Sequence, residues 1–135
     1  MQELVIEAKN ENLDKVNEFV HAIISDSTFT KKSIMQLDLI VEEIFVNIAN
    51  YAYAPKTGLV KILSDIDGDC ISLTFIDSGV PYNPLEKSDP NINLSVEERD
   101  IGGLGIFLTK KLVDDISYQY INEQNVLKFK KILMK

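Results

Sequence analysis

The feature that most constrains the fold is the stretch Leu37–Tyr53, which contains neither glycine nor proline and has strong helical periodicity. Its large apolar residues recur at steps of three and four, the spacing that places side chains on one face of a helix. Other apolar residues flank this face, and a helix that is apolar nearly all round is mostly buried. The stretch therefore predicts a buried helix from about Lys31 to Tyr53, ended by Pro55 and Gly58. The repeating face consists of Leu37, Val41, Ile44, Ile48 and Ala52.

A polar stripe crosses the same predicted helix. Glu43, Asn47 and Asn50 are spaced at four and three residues, so they share a second face. An unpaired buried polar group costs about 1–3 kcal/mol, so these side chains need partners. Asparagine is also a mediocre helix former. The stripe indicates either a partly solvated helix edge or a set of residues that bind something else.

The remaining chain predicts an α+β fold, a two-layer sandwich in which helices cover one face of a mixed sheet. Thr30 suits the N-cap of the long helix, and Asp67-Gly68 favours a hairpin turn. Residues 85–101 are polar and aperiodic, which is typical of a lid or binding loop. No repeat or linker is present, so we expect one domain, 1–135. Further helices are predicted near 10–25 and 106–114, and strands near 2–8, 59–64, 70–76, 116–121 and 126–133.

Composition narrows the classes of function. The chain has 135 residues, a net charge of −7 and no Lys/Arg-rich block, whereas nucleic-acid-binding surfaces are usually basic. The same charge disfavours anionic membranes. Since there is neither a long apolar run nor a signal-peptide pattern, we expect a cytoplasmic protein. A phosphate ligand is compatible with this charge, because backbone N–H groups and a metal ion can supply positive potential.

A short polar motif, Asp77-Ser78-Gly79, follows an apolar run that is predicted to be a strand. A carboxylate at that position can accept a hydrogen bond from an exocyclic amino group such as that of adenine. Gly79 has no Cβ, so a flat ring can approach the backbone there. The alternative is an ordinary turn, because aspartate, serine and glycine all favour turns.

A glycine-rich segment, Gly102-Gly103-Leu104-Gly105, precedes the last predicted helix. Backbone N–H groups at a helix start can converge on an anion, and the helix dipole adds to the attraction. The segment is not a Walker loop, because it lacks Gly-Lys-Ser/Thr and does not directly follow a strand. The alternative is a flexible hinge that closes the long loop.

The three motifs together, in this order, resemble the ATP-binding domain shared by gyrase, histidine kinases and mismatch-repair ATPases. This is the Bergerat fold of the GHKL ATPase superfamily. Within it, the sequence is most similar to the small bacterial anti-sigma factor serine/threonine-protein kinases, and the resemblance covers essentially the whole chain. The matching boxes are 41–53, with Glu43 and Asn47; 77–84, with Asp77 and Gly79; and 102–108, with its glycines.

The resemblance implies roles for the matching residues. Asn47 would hold Mg²⁺ through its side-chain oxygen, and the metal would bridge the ATP phosphates. Glu43, one helical turn earlier, would be the general base or would orient the attacking hydroxyl. Asp77 would bind the amino group of adenine, and Gly79 would lie beneath the ring.

Phosphate contacts are implied for the glycine-rich box, with 85–101 as the ATP lid. Arg99 is the better candidate among the basic residues of that lid. Asn50 shares the polar face and would reach a phosphate or the metal shell. Gly103 and Gly105 would donate their N–H groups to the phosphates. The box contains Gly102, Gly103, Leu104 and Gly105.

The resemblance implies an ATP- and Mg²⁺-dependent kinase that phosphorylates a small anti-anti-sigma protein of STAS type and sequesters a sigma factor. A homodimer is implied in the same way. One alternative is a non-catalytic module that binds ATP and a protein partner. A detached histidine-kinase domain ranks last, because no segment resembles the histidine-bearing dimerisation helices. Tyr51 stands where many members of the family have a histidine.

Overall fold

The structure, a computed structural model, describes residues 1–24, 28–86 and 101–135. Within these ranges, five strands form one sheet. They are β1 (Gln2–Glu7), β2 (Leu59–Asp67), β3 (Cys70–Asp77), β4 (Asp115–Ile121) and β5 (Gln124–Ile132). Their order across the sheet is β1-β2-β3-β5-β4. The hairpin between β2 and β3 turns at Gly68, whose positive φ of 63° suits glycine.

The α+β sandwich is confirmed, but the described strand pairs are antiparallel where a mixed sheet was expected. The reason lies in the crossover after β3. Strand β3 ends beside the start of β5, with Asp77 opposite Asn125, whereas β4 begins opposite Lys130, near the end of β5. Strands β3 and β4 therefore run in the same direction, but β5 lies between them, and no two described neighbours are parallel.

Alternation along β3 determines which side chains reach the core. Ile71, Leu73 and Phe75 point inward and are fully buried, while the residues between them are half-buried on the other face. The ring of Phe75 stacks on that of Phe129 from β5, with centroids 6.5 Å apart. Because the side-chain period is two, Asp77 also points inward, at the end of the apolar row. A carboxylate thus lies at the rim of the core.

The described residues also form three α-helices, α1 (Leu13–Ile24), α2 (Lys31–Asn47) and α3 (Ile101–Leu112), and a 3₁₀ turn at Pro84–Glu86. A 3₁₀ turn, Asn10–Asn12, precedes α1, and a π-helical turn, Ile48–Ala52, extends α2. The predicted cap is confirmed, because Thr30 Oγ1 accepts a hydrogen bond from the N–H of Ser33 at 3.2 Å. No helix among the described residues is long and apolar enough to cross a membrane.

Helix α2 lies at the centre of the core, as its sequence predicts. Leu37, Val41 and Ile44 are buried, and Ala52 at the end of the π-helical turn is buried with them. Ile48 is only half-buried and packs at the margin of the same cluster. The core that these residues form with α1 and the inner face of the sheet includes Val16, Val20, Ile40, Phe45, Ile62 and Leu127.

Helix α3 begins earlier than predicted. The glycines were expected to open the helix, with its apolar run from Ile106 to about Asp114, but the helix begins at Ile101 and ends at Leu112. Tertiary packing overrides the weak helix propensity of glycine: Ile106 and Thr109 are both buried on this helix. Most of the predicted lid, residues 87–100, lies outside the described residues.

Candidate functional site

The end of α2 widens where it approaches the sheet. The α-helical part ends at Asn47, and Ile48–Ala52 continue as a π-helical turn. The N–H of Ile48 is shared between two carbonyl oxygens one turn earlier. Single π-helical turns are rare within helices, and those that occur often lie at functional sites. This turn brings the carbonyl of Ala52 against the chain that leaves β3.

Asp77 is held by two donors at the end of β3. Its side chain is buried, with 5% of its surface exposed. The Oδ1 atom accepts one hydrogen bond from the N–H of Gly79 and one from Nδ2 of Asn125, each at 2.9 Å. Within the part of the chain that the structure describes, one carboxylate oxygen is engaged, and Oδ2 is the atom left to bind a ligand.

Gly79 is required by a close approach of two backbone segments. The N–H of Val80 donates to the carbonyl oxygen of Ala52 at 2.9 Å, which docks the turn after β3 onto the end of α2. A Cβ on Gly79 would lie 2.2 Å from that same carbonyl oxygen. The sequence explanation for Gly79 was space for a flat ring, but in the structure its missing Cβ makes room for Ala52.

Tyr53 holds the same turn through its hydroxyl group. Its hydroxyl donates to the carbonyl of Leu59 at 2.6 Å and accepts the N–H of Ser78 at 2.7 Å. Burial raises the pKa of the Tyr53 hydroxyl above its ordinary value of 10.0, with a smaller contribution from the charge of Asp77. The hydroxyl therefore stays protonated at neutral pH and keeps its donor role. Tyr53 links the end of α2, the start of β2 and the turn after β3.

A mainly apolar pocket lies between the end of α2 and the sheet. Asn47 and Asp77 line it from α2 and β3, and Asn125 lines it from β5. Its volume of about 40 Å³ is far below the ~300–1,000 Å³ of typical small-molecule sites. A purine ring therefore enters only if side chains at the mouth move, and Tyr51 and Val80 are exposed there. The remaining walls are Ile44, Ile48, Ala52, Phe75, Tyr82, Pro84, Ile106, Tyr118 and Leu127.

Glu43 and Asn47 form a pair on the polar stripe. The Nδ2 atom of Asn47 donates to Oε1 of Glu43 at 3.1 Å. Because the amide nitrogen is used in this way, the amide oxygen of Asn47 is the atom available to a cation. Glu43 itself lines a separate groove between α2 and α3, next to Val46 and Leu108. The two residues thus connect the pocket to a neighbouring surface.

Asn125 is the site residue that sequence reasoning missed. It was assigned to the turn that joins the last two strands, but β5 already begins at Gln124. Asn125 is buried and bonds to Asp77. A signal was present: it occupies an inward position in the alternation that continues through Leu127 and Phe129, where a polar residue needs a partner.

The sequence matches the model of a known family. A family model described as "Histidine kinase-like ATPase domain" matches residues 6–131. The chain belongs to this family. The matched residues include α2 with Asn47 and the turn after β3 with Asp77.

Curated relatives of this ATPase domain carry a more specific name. "Serine-protein kinase RsbW" from Bacillus cereus is 28% identical, over 96% of this chain and 84% of the relative. The protein of the same name from Bacillus mycoides is 27% identical with the same coverage. A solved structure, "Acinetobacter baumannii histidine kinase AdeS", has a TM-score of 0.49 and 13% identity, covering 100% of this chain and 70% of that one. The resemblance to serine kinases of this class is thus confirmed at the level of sequence similarity.

The predicted site residues of this ATPase domain are only partly brought together. Asn47 and Asp77 line one pocket, and Glu43 is bonded to Asn47. Asn50 is exposed and absent from the described lining; its Oδ1 accepts from Nδ2 of Asn10 at 3.0 Å. Arg99 lies outside the described residues.

The glycine box occupies the beginning of α3. Gly102 and Gly103 lie in the first turn, whose N–H groups have no partner within a helix. Gly105 lies beyond that turn, so its N–H is expected to bond within the helix. From the helix bounds, the N–H groups of Gly102 and Gly103 are the expected donors to a phosphate rather than that of Gly105, and the phosphate roles of the box stay predictions.

Proposed function

We propose that this chain is an ATP-dependent serine/threonine-protein kinase that acts as an anti-sigma regulatory factor. It would phosphorylate a small anti-anti-sigma protein of STAS type and sequester a sigma factor. The observation that supports this most directly is the convergence of Asp77 and Asn47 on one apolar pocket, with Glu43 bonded to Asn47. The curated relatives named serine-protein kinase point in the same direction.

The pocket fits the base of ATP in its chemistry. Its walls are apolar, which suits the faces of a purine ring, and Asp77 offers one carboxylate oxygen to an amino group. The two donors on Oδ1 fix the direction of the other oxygen. Asp77 would therefore orient the ring, and the turn that contains Gly79 would support it.

The residues also fit a magnesium ion that is bound together with phosphates. Among the described residues no group of three or more His, Cys, Asp or Glu side chains could hold a metal ion. Mg²⁺ prefers oxygen ligands and is usually held by one or two protein groups together with phosphates and waters. The amide oxygen of Asn47 would be the protein ligand, and Mg²⁺ would neutralise charge on the phosphates.

Glu43 would take the proton of the attacking hydroxyl or orient that hydroxyl. Its carboxylate is one helical turn from Asn47 and opens onto the groove between α2 and α3. A protein substrate could reach Glu43 from that groove while the nucleotide occupies the pocket. Phosphoryl transfer depends mainly on positioning and charge stabilisation, so the reaction needs no catalytic side chain beyond a single base.

A second candidate is a module that binds ATP and a partner without transferring phosphate. One observation favours it: the Glu43 carboxylate already accepts a hydrogen bond from Asn47 and does not line the pocket. In that case Glu43 would be structural. The homodimer and the cytoplasmic location belong to both candidates as predictions.

Calorimetry and labelling test the two candidates in turn. ATP is titrated into the protein with and without Mg²⁺, and the absence of heat at millimolar nucleotide would contradict both. ATP labelled on its γ-phosphate is then incubated with the protein and with STAS-type proteins from the same genome. Transfer of label to a serine or threonine supports the kinase, whereas nucleotide binding without any transfer supports the module.

A further inference from the structure

Asn125 lies directly opposite Asp77 across β3 and β5 and is 6% exposed. Its Nδ2 donates to Oδ1 of Asp77 and to the carbonyl of Val80, each at 2.9 Å, with a longer contact of 3.5 Å to the carbonyl of Gly79. Its Oδ1 accepts the N–H of Tyr82 at 3.2 Å and the hydroxyl of Tyr118. One amide therefore connects three segments that form the pocket.

The chemistry of these partners determines the orientation of the amide. The nitrogen faces a carboxylate and a carbonyl, which can only accept, whereas the oxygen faces a backbone N–H, which can only donate. Rotating the amide by 180° would place oxygen against oxygen at Asp77 and nitrogen against N–H at Tyr82. The side-chain amide of Asn125 therefore has one favourable orientation, in which its nitrogen donates to Asp77.

The fixed orientation of the Asn125 amide restricts what Asp77 can bind. Its Oδ1 already accepts from Gly79 and from Asn125. Oδ2 thus faces a ligand as an acceptor, held in direction by contacts that a ligand does not supply. An acceptor in a fixed direction rewards a donor on the ligand and disfavours another acceptor, because two oxygens that face each other in a buried site repel and lose their hydration.

We propose that Asn125 is a positioning residue that sets base selectivity, and that it makes the pocket choose a purine with a 6-amino group over one with a 6-oxo group. The inference rests on the proposed ATP binding but not on phosphoryl transfer. Asn125 acts through Asp77, since all its polar atoms are engaged within the protein. The same amide ties Tyr118 and the segment at Tyr82 to the pocket wall.

Replacing Asn125 by leucine, which is close in size, removes both donors and the acceptor. Binding of ATP and of inosine triphosphate is measured by calorimetry, since the two ligands differ at the 6-position of the ring. ATP affinity is expected to fall about tenfold, the scale of one charge-assisted hydrogen bond, while affinity for inosine triphosphate changes little. The matched control is Asn12→Leu, which removes an asparagine that donates to the carbonyl of Glu7 at 2.9 Å and does not line the pocket.

A general loss of structure would weaken both nucleotides and lower the melting temperature together, so selectivity is the informative quantity. If Asn125→Leu binds ATP with native selectivity, the inference is wrong and the proposed function still stands. If the native protein binds neither nucleotide, the proposed function fails, and the inference fails with it. Tyr118→Phe provides a milder variant, because it removes only one donor to the Asn125 oxygen.

Asn125→Asp gives a second readout that a purely structural role would not change. Two carboxylates would then face each other at the distance now spanned by a hydrogen bond, and such a pair shares a proton until pH rises through its raised pKa. The neighbouring titratable groups are the hydroxyls of Tyr118 and Tyr53. ATP affinity of the variant, relative to native, should fall about tenfold between a pH at which the pair holds one proton and a pH at which both carboxylates are ionised. A constant ratio contradicts the positioning role.

Discussion

At the scale of single residues, Asp77 is the side chain whose role is most sharply defined. Asp77→Asn keeps the shape but has only one acceptor oxygen: if that oxygen accepts from Gly79 and Asn125, the amide nitrogen, a donor, faces the ligand in place of Oδ2. We expect ATP affinity to fall about tenfold or more, since a hydrogen bond to a charged group is worth about 1.5–3 kcal/mol. Inorganic triphosphate, which has no base, should bind equally to both proteins in calorimetry.

Glu43 separates the kinase from the binding module. Glu43→Gln keeps the length of the side chain and an oxygen for Asn47 to donate to, but removes the base. Phosphoryl transfer should fall about a hundredfold or more, the usual scale for loss of a general base, while ATP binding stays within a few-fold. Glu42→Gln is the matched control, because Glu42 lines the same groove but is exposed. Native transfer rates in Glu43→Gln would make Glu43 structural.

Gly79 tests the contact between two backbone segments. In Gly79→Ala the new Cβ would lie 2.2 Å from the carbonyl oxygen of Ala52, so the turn must shift. Overpacking of this kind costs about 1–3 kcal/mol, and the melting temperature should fall by several degrees. Ser78→Ala, at the exposed neighbouring position, should unfold close to the native temperature. An unchanged melting temperature in Gly79→Ala would mean that the turn is not held against α2.

At the scale of elements, the hydroxyl of Tyr53 links the end of α2, the start of β2 and the turn after β3. Tyr53 has a raised pKa, so its stabilising contribution is complete below pH 10.0 and is lost as pH rises through the higher pKa of the folded protein. Ionisation also removes the donor to Leu59. Above pH 10 the free energy of unfolding should therefore fall less steeply with pH in Tyr53→Phe than in the native protein. Urea titrations at a series of pH values measure these free energies, and the same dependence on pH in both proteins would contradict this.

The elements differ in how far sequence could predict them. The buried face of α2 followed from Leu37, Val41 and Ile44, because a helical period survives in almost any tertiary context. The start of α3 did not, since glycines at 102, 103 and 105 lower local helix propensity while packing of Ile106 decides the outcome. The π-helical turn also left no signal in the spacing of apolar residues.

Some residues of the candidate site could also be predicted from the sequence, and others could not. Asp77 could be predicted because its neighbours form a recognisable turn, and Asn47 because it repeats on a helix face. The alternation along the last strand marks Asn125 as inward-facing, but its partner could not be predicted, because Asp77 is 48 residues away and the pairing depends on β5 lying between β3 and β4. The reason for Gly79 was also invisible, since its neighbour Ala52 becomes close only after α2 docks on the sheet.

At the scale of the whole molecule, the pocket is assembled from α2, the turn after β3, the start of β5 and residues of α3 and β4. An unfolded chain cannot present Asn47 and Asp77 together, so nucleotide should bind the folded state alone and stabilise it. At about 100 times Kd, binding adds about 2.7 kcal/mol to the free energy of unfolding. For a chain of 135 residues this corresponds to an increase in melting temperature of about 10 °C.

Magnesium should supply part of this stabilisation through Asn47. Because the Asn47 nitrogen donates to Glu43, its oxygen is the atom that would bind the cation. Asn47→Ala should therefore retain the increase in melting temperature seen with ATP and chelator but lose the additional increase seen with Mg²⁺. Asn12→Ala, which removes a different asparagine hydrogen bond outside the pocket, should keep both increases. If Mg²⁺ adds the same increase to Asn47→Ala as to the native protein, the cation is held by phosphates and other residues, and Asn47 serves only to position Glu43.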